Sequence, residues 1–351
     1  MGQSFVEETF VKWVRMFQVL CLLVFSLGVR ALAQMDRPST ANSKPLLLVA
    51  NQGDHTLSLI DPDAGQEIAK VATHGNHAHE VAVSPDGRLA YLPIYGNAGV
   101  GKPGTDGRTI EVVDLEKRSV LATIDLGGPA RPHCAKFGPG GMLYVSAELD
   151  KALDIVDPHL QKLVGSVPTA APESHMFVIS RDGKRAYTSN VGSGTVSALD
   201  LVARKTVKVI PVAKTVQRIA ISMDDRYVFT ADQEQPRLAV IDTTKNEVTQ
   251  WIALPGIGYG TAPTPDGRWL LVTMQKLNQV AVVDLSQMKV VKTIDVAPDP
   301  VQILMRPDRP LAYVSCTAEG KVAVVDLKTW EVSKTLSAGP GADGLGWAVR
   351  R

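Results

Sequence analysis

An aspartate closing an apolar strand recurs along the chain at Asp61, Asp114, Asp157, Asp200, Asp242, Asp284 and Asp326. The intervals are 53, 43, 43, 42, 42 and 42 residues. A period of about 40–45 residues filled with short strands is the spacing of propeller blades. The same phrase surrounds each aspartate: an apolar strand, a Pro-Asp-Gly-like turn, a second strand, a polar loop and a strand ending in Asp. Clear copies are VAVSPDGRLAYLPI from Val81, FVISRDGKRAYTSN from Phe177 and APTPDGRWLLVTM from Ala262, with AVVDL closing units at Ala281 and Ala323. Short runs of alternating apolar and polar residues, rich in Val, Ile, Thr and Tyr, suit half-buried strands. Seven aspartates predict an all-β, seven-bladed β-propeller with four-stranded antiparallel blades, and the aspartates themselves read as turn caps that accept backbone N–H groups.

The two ends of the repeat region complement each other. The chain enters at Leu46 with LLLVANQ, which matches a second strand, and leaves with GLGWAVR from Gly344, which matches a first strand. The C-terminal strand is therefore expected to complete the N-terminal blade and remove an exposed edge. This defines one domain over residues 46–351, after a linker over 34–45.

Residues 1–33 read as a signal peptide. Lys12 and Arg15 precede an apolar run from Met16 to Val29, and Ala31-Leu32-Ala33 offers small residues for cleavage after Ala33. The run is short for a bilayer span; a retained anchor is the alternative, and no later stretch is long enough to cross. Periplasmic or secreted localisation follows, with a monomer as the expected state. Cleavage takes Lys12, Arg15, Arg30, Glu7 and Glu8 from 37 basic and 36 acidic residues, leaving 34 of each. A balanced chain without a basic stripe disfavours nucleic acid as a partner. Cys134 and Cys316 fall in distant blades, beyond the roughly 7 Å that a disulfide allows.

The phrases AYTSNVGSGTVSALDL and SPDGRLAY resemble the YVTN β-propeller repeat family over nearly everything from Leu46 onward. That resemblance implies an exported propeller. It is specific for fold and does not name an activity.

Aligning the units on their Pro-Asp-Gly turns puts His79, His133 and His175 at one position, just before the innermost strands of blades two, three and four. Gln217, Tyr259 and Val301 hold that place in the next three blades, with Arg218 and Gln302 one residue later. These residues belong to the top face, where loops surround the axial channel. The expected ligand-binding set is His79, His133, His175, Arg218, Tyr259 and Gln302, presented to a small molecule or a protein partner. Neutral imidazoles suit a transition metal, so His77, His79, His133 and His175 are metal candidates, with Glu80 or Glu148 able to complete a set. A haem-like group on the same imidazoles, in a redox-associated propeller, is a related alternative. Structural hydrogen bonding between blades is the competing account of the shared histidine position. The extra residues of blade two, Gly96 to Arg108, are expected to lie over the channel mouth.

A second resemblance concerns YVSAELDKALDIVD from Tyr144 and HAHEVAVSPDGRLAYLP from His77, which are similar to segments of the propeller lactonases related to 6-phosphogluconolactonase. It implies lactone hydrolysis by Glu148, with His79 or His133 and Arg218; a carboxylate or imidazole would activate water and the guanidinium would hold the oxyanion. Ala78 and Ala147 depart from that family's pattern. The leading expectation is a non-catalytic binding or scaffold protein.

Several motifs fail on context. Gly96 to Lys102 spells a phosphate-loop pattern, but Pro103 follows where Ser or Thr is required. There is no Cys-x-x-Cys-His and no Gly-x-Ser-x-Gly. Trp251, Trp269, Trp330 and Trp347 read as strand packing residues rather than a stacking platform.

Overall fold

In the computed structural model, which describes residues 45–138 and 140–349, seven four-stranded antiparallel sheets form a seven-bladed propeller. The signal-peptide assignment and nearly all of the linker lie outside the described residues. No helix among the described residues is long and apolar enough to cross a membrane.

The innermost strands, counted from blade one, are Ala342–Ala348, Ala82–Val83, Pro132–Phe137, Ser174–Ile179, Ile219–Ile221, Thr261–Pro263 and Pro300–Met305. Blade one closes as expected: Ala342–Ala348 pairs antiparallel with Leu46–Asn51, setting Trp347 opposite Leu47. The core lies between blades, where Leu, Val and Ile of facing sheets are almost wholly buried. In every blade the register slips once between the third and fourth strands. A bulge at that place increases the twist of the outer hairpin.

All seven repeat aspartates act as caps. Each Oδ1 accepts the N–H of the residues two and three positions on, at 2.7–3.3 Å. The residue four positions on is left-handed in every copy: Gly65, Arg118, Gln161, Arg204, Asn246, Met288 and Trp330, with φ from 51° to 72°. Only one is glycine, so the cap holds six side-chain-bearing residues in a conformation they disfavour. Trp330 therefore sits in a turn and not in a strand, packing edge-on to Trp269 at 5.4 Å. Cys134 and Cys316 are buried free thiols in blades three and seven.

Candidate functional site

Two rings of repeat-equivalent residues build the channel mouth. The register that pairs Val83 with Ala90 sets His79 four residues before the pair. The same count from Trp347, Phe137, Ile179, Ile221, Pro263 and Met305 gives Asp343, His133, His175, Gln217, Tyr259 and Val301. The inner ring, from blade one, is thus Asp343, His79, His133, His175, Gln217, Tyr259 and Val301. Five residues beyond the second-strand partner lies a second ring position, held in the first three blades by Gln52, Tyr95 and Glu148. Each of these three meets the inner-ring imidazole of the following blade.

Gln52 Nε2 lies 2.8 Å from His79 Nδ1. Tyr95 stands edge-on to His133, with ring centroids 5.5 Å apart. Glu148 Oε1 lies 2.5 Å from His175 Nδ1, and the Tyr95 hydroxyl donates to Glu148 Oε2 at 2.6 Å. The backbone below is tied by hydroxyls: Ser146, Ser189 and Thr273 each donate to the carbonyl of the next blade's ring residue, His175, Gln217 and Val301.

The three imidazoles form a row. His79 and His133 have centroids 4.9 Å apart, and His133 and His175 3.6 Å apart, with interplanar angles of 33° and 35°. His133 is buried, and its Nδ1 has no hydrogen-bond partner among the described residues. Burial first, then the neighbouring His175, His79 and Arg218, hold its pKa well below that of free histidine. His77 stands at the edge, 6.3 Å from His79 and 5.3 Å from His55, and burial and these two imidazoles lower its pKa. Among the described residues, no group of three or more His, Cys, Asp or Glu side chains is disposed to hold a metal ion.

Beneath the row an ion bridge crosses the channel. Arg218, in blade five, places Nη1 2.8 Å from Glu80 Oε1 of blade two and Nη2 2.9 Å from Asp343 Oδ1 of blade one. All three side chains are about 5% exposed. Asp343 also accepts from Gln52 and lies 3.3 Å from His79 Nδ1. Its burial is outweighed by Arg218 and His79, so its pKa falls. Glu80 is the poorer partner: Oε1 is close to Nη1 but makes no hydrogen bond, and burial raises its pKa. Gly344 follows Asp343 because a Cβ there would strike the Glu80 Cα at 2.6 Å.

Tyr259 is half-buried beside Arg218, whose Cζ lies 5.4 Å from its ring centroid. Gln302 is turned to structure, its Oε1 accepting the Leu345 N–H. The blade-two insertion is held from below by Arg131, whose guanidinium meets Asp106 Oδ1 at 2.5 Å and donates to the Gly99 and Lys102 carbonyls.

The predicted residues His79, His133, His175 and Arg218 therefore converge, with Tyr259 beside them. Glu148 is 2% exposed, and both its oxygens are engaged. It can act on water only through His175, by fixing the Nδ1 proton and leaving Nε2 basic. Gln52, Tyr95, Arg131 and Asp343 were not among the predicted residues. Asp343 was readable by carrying the alignment one residue upstream of the GLGWAVR tail. Gln52 and Tyr95 share the repeat position of Glu148, which comparing second-strand ends would have revealed.

No protein-family model matches the chain, and no curated protein matches it. Solved structures do. The chain is similar to Kuenenia stuttgartiensis hydrazine synthase, at 19% identity and TM-score 0.69, covering 84% of this chain and 98% of that one. It is similar to the dihydro-heme d1 dehydrogenase NirN, at 20% identity and TM-score 0.61, covering 84% of this chain and 64% of that one. The periplasmic gluconolactonase PpgL of Pseudomonas aeruginosa matches at 18% identity and TM-score 0.70, over 88% of this chain and 99% of that one. At these identities the likeness is one of fold: a seven-bladed propeller.

Proposed function

We propose that this is an exported propeller of the YVTN type that binds a small polar ligand on the imidazole row at its channel mouth. One observation carries the reading: His79, His133 and His175 from three adjoining blades lie in one tilted row, and the middle ring buries an unpartnered nitrogen. A buried polar atom without a partner costs about 1–3 kcal/mol. A ligand at the row would supply the missing contact and recover that cost. Export is supported by the residue 1–33 pattern and by likeness to the periplasmic gluconolactonase PpgL.

A second reading, hydrolysis, is favoured by the pair His175–Glu148. A buried carboxylate on Nδ1 leaves Nε2 as a general base, and Tyr95 fixes the carboxylate from its other oxygen.

Glucono-1,5-lactone and gluconate serve as probes for both. Calorimetry is expected to show saturable binding that is lost in a His79→Ala/His175→Ala variant that still unfolds cooperatively, although freeing the buried Glu148 carboxylate lowers its melting temperature. Binding without acid release in a pH-stat supports the first reading; turnover abolished by Glu148→Gln supports the second. Equal affinity in the double variant, or no saturation by either probe, overturns the site.

A further inference from the structure

The end of the propeller opposite the imidazole row carries the turns between third and fourth strands. The tip of each turn lies two and three residues past the cap aspartate. Five blades place polar or small residues there, among them Glu116-Lys117, Thr244-Lys245 and Ser286-Gln287. Blades three and four instead present Leu160 and Val202, 63% and 73% exposed, the two most exposed large apolar side chains among the described residues. Beside them the register slip leaves Val164 and Val207 unpaired in the fourth strand, and both are exposed. In blades five and seven the slip residue is Thr249 or Ser333, whose hydroxyl donates back to a third-strand carbonyl. With Leu163, five of the ten exposed large apolar side chains among the described residues fall on these two hairpins. Scattered singles are ordinary on a protein surface; a cluster marks a surface that meets something apolar.

The two hairpins are joined. Thr206 Oγ1 donates to the Pro168 carbonyl at 2.6 Å, and the Arg204 guanidinium lies across Gly165, where a Cβ would meet Nη1 at 2.8 Å. Charge on this surface is one-sided. Lys162, Arg204 and Lys205 are exposed and make no ion pair among the described residues, while Lys208 is taken by Glu247 of blade five. The only carboxylates in the two hairpins, over 157–168 and 200–211, are the caps Asp157 and Asp200, whose Oδ1 atoms hold backbone N–H groups. Apolar tips flanked by free cations complement an anionic lipid surface, which offers phosphate to the cations and acyl chains to the tips. A second copy of the chain would set like charges against each other.

We propose that the lower rim of blades three and four docks on an anionic phospholipid bilayer. Leu160 and Val202 enter the boundary between headgroups and acyl chains, and Lys162, Arg204 and Lys205 lie against headgroup phosphates. Two apolar tips and three cations give reversible attachment, which added salt weakens by screening the cations. The imidazole row sits at the opposite end and stays open to solvent, so docking and ligand binding are compatible.

The test sediments the full chain with vesicles of phosphatidylglycerol and phosphatidylcholine in equal parts, or of phosphatidylcholine alone. Binding to the anionic vesicles is expected to be at least tenfold tighter. Leu160→Asp/Val202→Asp is expected to weaken it at least tenfold with an unchanged melting temperature, because both side chains are exposed. Lys162→Gln/Lys205→Gln is expected to weaken anionic vesicles at least fivefold and leave phosphatidylcholine unaffected. Depth is read separately with brominated phosphatidylcholine in the anionic vesicles. Leu160→Trp should be quenched beyond the parent chain, and Val291→Trp, on blade six, should not. Vesicle binding carried by the apolar run Met16–Val29 would leave Leu160→Trp unquenched, and that result overturns the proposal. Undiminished affinity in the aspartate variant overturns it too, as does a concentration-dependent dimer that the same variant abolishes, which would assign the surface to a second copy.

Discussion

Arg218 of blade five reaches across the channel axis to Asp343 of blade one, Nη2 to Oδ1 at 2.9 Å. Asp343 belongs to the C-terminal strand that closes the ring against Leu46–Asn51. The contact therefore ties the closing strand to the far side of the propeller, and Glu80 of blade two is drawn into the same bridge.

Removing the cation is expected to be costly. Arg218→Met retains bulk but leaves Glu80 and Asp343 buried without a counter-charge, which costs about 3–5 kcal/mol. Urea unfolding measures this. Adding Glu80→Gln and Asp343→Asn to the same chain is expected to restore most of the loss, because the penalty is stranded charge and not lost packing. An Arg218→Met protein as stable as the parent rules out the bridge as a determinant of closure.

Asp154, in the third strand of blade three, gives a pH-dependent case. It is 2% exposed with Oδ2 unpartnered, and burial, then the neighbouring Asp150, push its carboxyl up to about 7. A folded value above the unfolded one means the folded state binds the proton more tightly. The contribution to stability is full below pH ~4 and is lost as pH rises toward the folded value near 7. Asp154→Asn is thus expected to raise stability by as much as ~4 kcal/mol at pH 8. The gain should shrink steadily in melts run down to pH 4, and a gain independent of pH contradicts the assignment.

The capped turn from Asp157 to Gln161 separates two local effects. Asp157→Ala removes the acceptor of the His159 and Leu160 N–H groups and is expected to cost about 1 kcal/mol. Gln161 is exposed at φ 52°. Gln161→Gly relieves a left-handed penalty of about 1–2 kcal/mol, less the ~0.5–1 kcal/mol of extra chain entropy that glycine loses. A small stabilisation should result. Destabilisation by the glycine would mean that the Gln161 side chain makes a contact the geometry does not reveal.

The blades were legible because each encodes itself: the aspartate cap recurs seven times, Pro-Asp-Gly-like turns recur between strands, and the single pair of ends at Leu46 and Gly344 complement each other. Half of the mouth was legible for the same reason, since His79, His133 and His175 share one repeat position. The remainder was not, because it depends on contacts between repeats. That Glu148 faces His175 of the next blade, and not open water, follows from the stagger of adjoining sheets. That Arg218 spans to blades one and two follows from the curvature of the closed ring.

His133 offers the most direct check on the electrostatics of the row. Its ring is buried between His79 and His175 and faces no carboxylate at Nδ1. Burial, then the adjacent imidazoles and Arg218, place its folded pKa well below the free value. The sign is fixed by linkage: the stability that neutral His133 provides is complete above the free-histidine range of about 6.5 and is lost as pH falls through the lower folded value. Nitrogen-15 NMR of the imidazoles is expected to show His133 taking up its proton at a lower pH than a free histidine does. His133→Phe keeps a ring in the stack without a titrating nitrogen, so its acid-unfolding midpoint should move to lower pH. A His133 resonance titrating near pH ~6.5, or an unmoved midpoint in the phenylalanine variant, would show that water or a counter-ion reaches the ring and that His133 is not the buried middle member of the row.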